Sequence, residues 1–571
     1  MTRASIIVML LVAGASACSR SFARSPQHAN QIIQKPRAQV VSYGELSIVP
    51  QPRMLRTYSG DPPRLESHVQ LVRELMPREA YSLSITARGA VIRAASNLGF
   101  SYGLTTLKQV ASERYPHRVE IHDRPMYQWR GLHLDVSRHF FPVSVIERYI
   151  NVAAHYKLNI FHWHLTDDQA WRLQIKRYSR LTAESSCRAA GCEFYSQDDV
   201  RRIVRYAQSR NVDIVPEIEM PAHATAALRA YPELRCGSTN VFCARDSSLV
   251  FLEDVLAEVL PLFPSQYVHV GGDEAPSDTE HYLMPRIEAF LRSHGRTMVA
   301  WDDVLGSGVS PGTTIMAWNG DRRAIEAISA GHDVVMVPDG PLYFDAYQGA
   351  AFQEPLAAPH MATLEQVYSY DPTPDGLDAK ARAHILGVEA AVWTEKISSP
   401  NRLFSMVLPR ALALSEIGWT PPSRKSWPSF LSRLSAQFDW LRKNGYPYRF
   451  PAPVIEVAAG SRMRFFAIPG DVSAALGLTD ASNATITLRD AMPNVRIHYT
   501  LDGSTPTLKN DIYAGPLRLP LSRVRQRTII AAALDEKGIS SESSKIVIKR
   551  VAPSEFERYR GSKTWASLAS P

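Results

Sequence analysis

The sequence predicts an α/β protein: a (β/α)8 TIM barrel preceded by a small N-terminal α+β domain and followed by a C-terminal β-sandwich. Three observations lead to this fold class. Eight short apolar runs, each ending in polar or aromatic residues, alternate with helical stretches between residues 131 and 393. The 571-residue length suits about three to four domains. After Tyr446 the helical periodicity disappears, and short alternating strands follow.

The chain begins with a segment typical of a secretory signal peptide. Arg3 supplies a positive charge, residues 6–12 are apolar, and residues 15–17 form an A-x-A cleavage site. The uncharged run over residues 4–19 is shorter than the ~18 apolar residues of a membrane-spanning helix. We therefore expect an exported protein.

Cys18 directly follows this cleavage site, so the segment also resembles a bacterial lipoprotein signal. In that case Cys18 would be acylated and become the mature N-terminus, which would anchor the protein to a membrane. Ordinary cleavage, with Cys18 uninvolved, is the alternative. The predicted location is the periplasm or the outer membrane of a bacterium, as a lipoprotein, or the medium, as a secreted protein.

Changes in pattern along the chain set the predicted domain boundaries. The predicted segments are a signal peptide at 1–17, a linker at 18–39, the α+β domain at 40–125, the barrel at 126–446, the sandwich at 447–551 and a tail at 552–571. In the α+β domain, alternation predicts strands at 46–49, 81–86 and 90–94, with a helix at 102–113.

The barrel prediction depends on eight apolar runs separated by helical patterns. The runs are 131–136, 159–165, 212–218, 267–270, 297–301, 313–318, 333–337 and 385–393. An open doubly wound sheet is the alternative, but no glycine-rich phosphate-binding fingerprint follows the first strand. In the C-terminal part, strands are predicted at 484–488, 496–500, 528–534 and 545–548.

Without Cys18, four cysteines remain in two close pairs. In an oxidising compartment the simplest hypothesis is two local disulfides, Cys187 with Cys192 and Cys236 with Cys243. Other pairings and free thiols stay open. A zinc site is disfavoured because the spacings differ from C-x₂-C pairs.

Composition excludes several classes of protein. The chain has 45% hydrophobic and 21% charged residues, which excludes wholesale disorder and fibrous repeats. The net charge of +8 is mild for this length, so we expect no nucleic-acid partner. We expect no cofactor and no bound metal.

The ends of the eight runs carry carboxylates, one arginine and several tryptophans. These residues are Arg130 and Asp135, residues 162–168, 217–223 and 271–274, Trp301 and Asp302, Trp318, Tyr343 and Asp345, and residues 393–395. Active sites of such barrels gather at the carboxyl ends of the strands. Charged groups hold sugar hydroxyls and indole faces pack against sugar rings, so this composition indicates a sugar site.

Asp273 and Glu274 are the focal pair. Gly271 and Gly272 precede them, so the backbone can turn there and direct both carboxylates into the barrel mouth. Two neighbouring carboxylates raise one another's pKa, which suits one of them to be a general acid. An Asp-Glu pair at an exposed helix start is the non-functional alternative.

The motif around this pair resembles a known family. Residues 269–276, His-Val-Gly-Gly-Asp-Glu-Ala-Pro, are closely similar to the signature of glycoside hydrolase family 20, the β-N-acetylhexosaminidases. Residues 130–140, 162–168, 216–223 and 387–395 are similar to further motifs of this family, and the resemblance covers about 40–450. Residues 499–506 also resemble the C-terminal sandwich of bacterial chitobiase-like enzymes.

The resemblance implies a retaining mechanism in which the substrate supplies the nucleophile. Glu274 would protonate the leaving oxygen while the 2-acetamido oxygen attacks the anomeric carbon, giving an oxazolinium intermediate. Asp273 would hold the acetamido N–H and Tyr343 the acetamido oxygen. The substrate would be an oligosaccharide or glycoconjugate with a terminal non-reducing, β-linked N-acetylhexosamine.

The resemblance also implies the sugar-binding residues. Arg130 and Glu395 would bind O3 and O4, and Asp345 would bind the O4/O6 edge. Trp301, Trp318 and Trp393 would surround the ring, and Asp167 and His223 would form a polar pair near Glu274. Four other acids are interpreted as salt-bridge partners and loop anchors: Asp135, Asp168, Glu219 and Asp302.

Two other functions remain open. His162 and His164 lie on one strand face, an arrangement suited to zinc, so a metal-dependent barrel hydrolase is one alternative. A non-catalytic glycan-binding barrel is the other, because fold does not guarantee chemistry. The sequence leaves open the preference between N-acetylglucosamine and N-acetylgalactosamine, the natural glycan and the oligomeric state.

Overall fold

The computed structural model describes residues 46–58, 69–86, 88–111, 118–189, 191–237, 239–349, 354–450, 452–458, 463–468, 471–489, 495–521, 526–534, 541 and 543–559. The predicted signal peptide, the linker and Cys18 lie outside these residues. The chain divides into two compact units, one of residues 1–48 and 52–125 and one of residues 49–51 and 126–571. Over the described ranges, no helix is both long enough and apolar enough to cross a bilayer.

The first unit contains a five-stranded sheet and one helix, Asn97–Ala111. In spatial order its strands are Met54–Tyr58, Arg118–Asp123, Tyr81–Thr86, Gly89–Ala94 and Val69–Arg73. The strands predicted at 81–86 and 90–94 are confirmed. The strand predicted at 46–49 is wrong: the amide of Ile48 donates to the carbonyl of Leu46, so the backbone turns locally there.

In the described part of the second unit, eight parallel strands close into a barrel. They are Trp129–Asp135, Ile160–His164, Asp213–Met220, Tyr267–Gly271, Thr297–Trp301, Thr314–Ala317, Val334–Met336 and Ile385–Ala390. The eighth strand pairs with the first, which closes the ring. Each of the eight predicted runs overlaps one of these strands, so the barrel is confirmed.

Helices surround the barrel. Those in the described residues between 126 and 446 are Val143–His155, Arg180–Ser185, Gln197–Gln208, Thr225–Ala230, Asp246–Val259, Ser277–Ser293, Asp321–Ser329, Leu364–Ser369, Ala379–Arg382, Pro400–Val407, Arg410–Trp419 and Trp427–Lys443. Alternate strand residues face them: Leu132, Phe161 and Ile214 belong to the core between strands and helices. The strand residues between them face inward, where Trp129, Val215 and other buried apolar residues form a separate inner cluster.

Two sheets follow the barrel. One contains Val454–Ala458, Asn483–Arg489 and Leu517–Pro520, and the other contains Met463–Ile468, Asp471–Thr479, Arg496–Thr500, Gln526–Leu534 and Ser544–Arg550. Ile486 and Leu519 of the first sheet share a buried core with Ile529 and Ile546 of the second. This shared core confirms the β-sandwich.

The predicted tail differs from the structure at its beginning. Residues Pro553–Tyr559 form a short helix, and Phe556 is buried beside Leu478 and Val551. A single apolar side chain in a polar segment gave no periodic signal, so the sequence pattern missed this helix.

Candidate active site

A cavity of about 310 Å³ lies at the carboxyl ends of the barrel strands. Its lining residues are Arg138, His164, Asp167, Glu219, His223, Asp273, Glu274, Trp301, Trp318, Tyr343, Trp393 and Glu395. A volume near the lower end of the ~300–1,000 Å³ typical of ligand pockets suits a single sugar ring better than a chain of them.

The turn after the fourth strand places the acidic pair. Gly271 has φ +71°, and a Cβ there would lie 1.7 Å from Oε1 of Glu219, so only glycine fits. Glu274 has φ +53°, a backbone conformation that costs free energy for a non-glycine residue and is frequent at active sites. The turn therefore directs both carboxyl groups to the cavity, whereas consecutive residues within a strand would point to opposite faces.

The two carboxyl groups differ in environment. The Asp273 side chain is 18% exposed, whereas that of Glu274 is 66% exposed. Oδ1 of Asp273 is buried and accepts no hydrogen bond from the described residues. Burial raises the pKa of Asp273 to about 6, although the charge of His223 opposes this shift. Asp273 thus has an unpartnered acceptor inside the cavity, while Glu274 stands at its open side.

His223 lies between these carboxylates. Its Nε2 is 3.4 Å from Oε2 of Glu274 and 3.6 Å from Oδ2 of Asp273, and its Nδ1 is 3.6 Å from carboxylate oxygens of Asp167 and Asp168. Burial lowers the pKa of His223, but its interactions with Asp168 and Asp273 outweigh this and raise it to about 9. At neutral pH the protonated imidazole of His223 therefore connects Asp167 to the acidic pair, Asp273 and Glu274.

Arg138 is a cavity residue that the sequence interpretation missed. Its side chain is 12% exposed, and Nη1 lies 2.7 Å from Oδ2 of Asp167. Nε lies 3.7 Å from Oε1 of Glu395, and the guanidinium is 5.0 Å from the Trp393 ring centroid. Asp135, Asp167 and Glu395 outweigh the effect of burial and raise its pKa. This fork is placed to bind sugar hydroxyls together with Glu395.

Arg130 does not line the cavity, so its predicted role is corrected. It lies at the N-terminal end of the first strand and is fully buried. Its Nε donates to the carbonyl of Lys157 and its Nη1 to that of Tyr127. Barrel chemistry is located at the carboxyl ends of strands, and this rule applied to residues 130–138 would have selected Arg138.

Aromatic residues form the walls, as expected. The indole Nε1 of Trp301 donates to Oε1 of Glu217 at 3.0 Å, and that of Trp318 donates to Oδ2 of Asp303 at 2.7 Å. The Trp301 and Trp393 rings lie 5.9 Å apart. These hydrogen bonds fix the orientation of two indole faces toward the cavity.

Tyr343 lines the cavity, and Asp345 does not. Burial raises the pKa of Tyr343 well above its ordinary value, so its hydroxyl remains a donor. Asp345 is buried two residues farther along, and burial, with repulsion from Glu395, raises its pKa to about 7. Its Oδ1 has no donor among the described residues. Asp345 is therefore not one of the residues that line the cavity, and its contact with the O4/O6 edge of the sugar stays a prediction.

Three of the four acids set aside as anchors have that role. Asp135 accepts from the amides of Ser137 and Thr394, Asp168 from the amide and hydroxyl of Thr225, and Asp302 from Asn319. These bonds hold the loops that surround the cavity.

Glu219 is different, because it lines the cavity. Burial, followed by repulsion from Asp273 and Glu217, raises the pKa of Glu219 well above its ordinary value. Its position two residues after Glu217, on the same inward face of the strand, is the signal that could have identified it.

A polar network fills the barrel interior below the cavity. His162 lies 3.1 Å from Oε2 of Glu217 through Nε2 and 2.7 Å from Oε1 of Glu389 through Nδ1. Burial opposes its charge, but these carboxylates raise the pKa of His162 to about 9. The imidazole pair suggested as zinc ligands is thus engaged by carboxylates: His164 contacts Glu217 through Nδ1 and Asp167 through Nε2.

The two predicted disulfides are present. The Cys236–Cys243 loop contributes Asn240, whose carbonyl accepts from the amide of Ala224 and whose side chain donates to Asp168. This loop therefore supports the turn that bears His223.

Sequence comparisons relate all three parts of the chain to one group of proteins. Residues 127–281 and 275–422 match the profile of the glycosyl hydrolase family 20 catalytic domain. Residues 59–124 match the profile of glycosyl hydrolase family 20, domain 2. Residues 477–545 match the chitobiase/beta-hexosaminidase C-terminal domain.

Individual proteins are similar over most of the chain. A beta-hexosaminidase of Porphyromonas gingivalis is 38% identical over 494 residues, which are 77% of this chain and 62% of that relative, so the chain spans less than two thirds of its length. A beta-N-acetylhexosaminidase of Cellulomonas fimi is 32% identical, over 67% of this chain and 82% of the relative. The crystal structure of an exo beta-N-acetylglucosaminidase from Vibrio harveyi, in complex with N-acetylglucosamine, superposes with a TM-score of 0.66 at 26% identity and covers 73% of this chain and 81% of that one.

Proposed function

The chain belongs to glycosyl hydrolase family 20, and from this premise we propose that it is an exo-acting, retaining β-N-acetylhexosaminidase. It removes terminal non-reducing N-acetyl-β-D-hexosamine residues. The observation that carries the proposal is the cavity for one sugar, with Asp273 inside it and Glu274 at its open side. A cavity that holds a single ring fits a chain end better than the middle of a glycan.

The reaction follows from this separation of the two carboxyl groups. In the first step Glu274 gives its proton to the glycosidic oxygen, the acetamido oxygen bonds to the anomeric carbon, and the bond from that carbon to the leaving oxygen breaks. The products are an alcohol and an oxazolinium ion. In the second step water bonds to the anomeric carbon, the bond to the acetamido oxygen breaks, and Glu274 takes the proton from water. Two displacements retain the β configuration.

The other cavity residues hold the sugar during these steps. Asp273 offers its unpartnered oxygen to the acetamido N–H and balances the positive charge that develops there. Tyr343 donates to the acetamido oxygen. Arg138 takes the hydroxyl-binding role first expected of Arg130, beside Glu395.

A comparison of two substrates tests the proposal. Purified protein is incubated with an aryl β-N-acetylglucosaminide and with the matching aryl β-glucoside, which lacks the acetamido nucleophile. Phenol release from the first substrate alone supports the proposal, and equal release from both contradicts the substrate-assisted mechanism. Binding of N-acetylglucosamine without any release would instead identify a glycan-binding protein. The aryl galactosaminide in the same panel determines the sugar preference.

We further propose that the protein is exported and attached to a membrane through a lipid on Cys18. The sequence of residues 1–18 and the two disulfides support this location, because disulfides persist in oxidising compartments. Wild-type protein is expected in the membrane fraction, and the Cys18→Ala variant in the soluble fraction. Soluble wild-type protein would contradict the anchor.

A further inference from the structure

Glu217 is a buried carboxylate that the proposed reaction does not use. It lies on the third barrel strand, Asp213–Met220, is 0% exposed, and is not one of the cavity-lining residues. Each of its two oxygens nevertheless contacts a residue of the cavity wall.

Oε1 of Glu217 fixes an aromatic wall. The indole Nε1–H of Trp301 donates to this oxygen at 3.0 Å. Trp301 is almost completely buried and presents its ring to the cavity beside Trp393. A hydrogen bond from an indole to a carboxylate is directional, so it sets the tilt of the ring face on which a sugar packs.

Oε2 of Glu217 fixes the cationic side of the cavity. It contacts Nδ1 of His164, whose Nε2 lies 2.8 Å from Oδ2 of Asp167. The same oxygen of Asp167 lies 2.7 Å from Nη1 of Arg138. Carboxylate, imidazole, carboxylate and guanidinium thus alternate in charge from the barrel interior to the cavity surface.

We propose that Glu217 is a positioning residue for the sugar site: its one carboxylate orients both Trp301 and, through His164 and Asp167, Arg138. The proposal rests on the proposed hexosaminidase function. Trp301 and His164 both present N–H groups to Glu217, and ring nitrogens of His162 and His269 also lie within 3.1 Å of its oxygens, so both oxygens act as acceptors. A glutamine has only one acceptor oxygen, and its NH₂ group would face an N–H donor on the other side.

Glu389 provides a matched control. It is also 0% exposed and belongs to the same network, through His162 at 2.7 Å and the Trp129 indole at 2.9 Å. Neither of these two partners lines the cavity. Glu217→Gln and Glu389→Gln therefore make the same chemical change at equal burial, but only the first alters direct contacts to residues of the sugar site. Among the described residues, Glu389 reaches Glu217 only through His162.

The experiment measures three quantities on the wild-type, Glu217→Gln and Glu389→Gln proteins: Tm, the Kd of N-acetylglucosamine by calorimetry, and kcat and KM with the aryl N-acetylglucosaminide. We expect both variants to have a lower Tm than the wild-type protein. Glu217→Gln should weaken N-acetylglucosamine binding about 10-fold and lower kcat/KM by about 10–100-fold, as expected for loss of a charged hydrogen bond. Glu389→Gln should stay within about 3-fold of wild type in both.

Equal effects of the two variants on Kd and kcat/KM would overturn the proposal, because Glu217 would then serve only the barrel interior. Should Glu217→Gln fail to fold, Trp301→Phe removes the indole donor to Glu217 together with part of the ring face, and unchanged N-acetylglucosamine binding by that variant would also overturn the proposal. Failure of the proposed function has a different outcome: the wild-type protein itself would then neither bind N-acetylglucosamine nor release the phenol.

Discussion

Replacing Asp273 with asparagine is expected to stabilise the protein and to inactivate it. The carboxyl of Asp273 is mostly buried, and its Oδ1 has no donor among the described residues. Its pKa is raised to about 6 in the folded protein from an ordinary value of 3.8. Ionisation of this group at neutral pH therefore opposes folding by about 3 kcal/mol, at 1.36 kcal/mol for each tenfold change in acidity.

The free-energy penalty of ionising Asp273 depends on pH. Because the folded-state pKa is raised, Asp273 contributes no penalty below pH 3.8, where it is protonated in both states. The penalty develops as the pH rises and is complete above about pH 6. Asparagine keeps the shape without the charge, so the Tm of Asp273→Asn should exceed that of wild type by at least about 2 °C at pH 7.5 and match it near pH 4.

Thermal unfolding at the two pH values, together with kcat/KM, checks this prediction. The variant should lose about 100-fold or more in kcat/KM with the acetamido substrate, because the charge facing the acetamido N–H is gone. Asp302→Asn is the control: both oxygens of Asp302 accept from Asn319, so that substitution should lower Tm. If Asp273→Asn is less stable than wild type at pH 7.5, or if the Tm difference does not depend on pH, then the ionised Asp273 carboxylate does not destabilise the folded protein.

Three further predictions concern the sugar site. Arg138→Lys should raise KM about 10-fold because lysine lacks the planar fork of the guanidinium. Arg130→Lys should lower Tm and leave KM unchanged. A larger effect on KM at Arg130 than at Arg138 would restore Arg130 as the residue that binds the sugar hydroxyls. Tyr343→Phe should lower kcat about 10–100-fold, since no donor then faces the acetamido oxygen, and unaltered kcat would exclude this role. Exhaustive chelation should leave kcat/KM unchanged, and loss of activity that returns with added zinc would favour a metal-dependent hydrolase.

Patterns with a regular period predicted the fold well. The barrel strands were visible because their outward residues, such as Leu132 and Phe161, repeat every second position beside a helical pattern. The segment at 46–49 has the same apolar character, yet a local turn at Ile48 prevents pairing. Apolar composition alone does not distinguish a strand from a buried irregular segment.

The site was predicted where a residue's position along a strand is unambiguous. Asp273 and Glu274 follow two glycines at a strand end, and the structure places both at the cavity. Arg130 and Arg138 flank one strand, and the choice between them depends on which end faces the cavity. Glu219 shares a strand face with Glu217, and the missed signal was this spacing of two residues, which places both carboxyl groups on the inward face.

The kcat of Glu274→Gln measures whether Glu274 is the acid and base of a hexosaminidase. The measurement uses N,N′-diacetylchitobiose, whose leaving group needs protonation, and compares a variant shown by Tm to be folded with wild type. We expect the kcat of Glu274→Gln to be at least about 100-fold lower than that of wild type, which is the usual contribution of a general acid. Turnover by Glu274→Gln near the wild-type rate would contradict it.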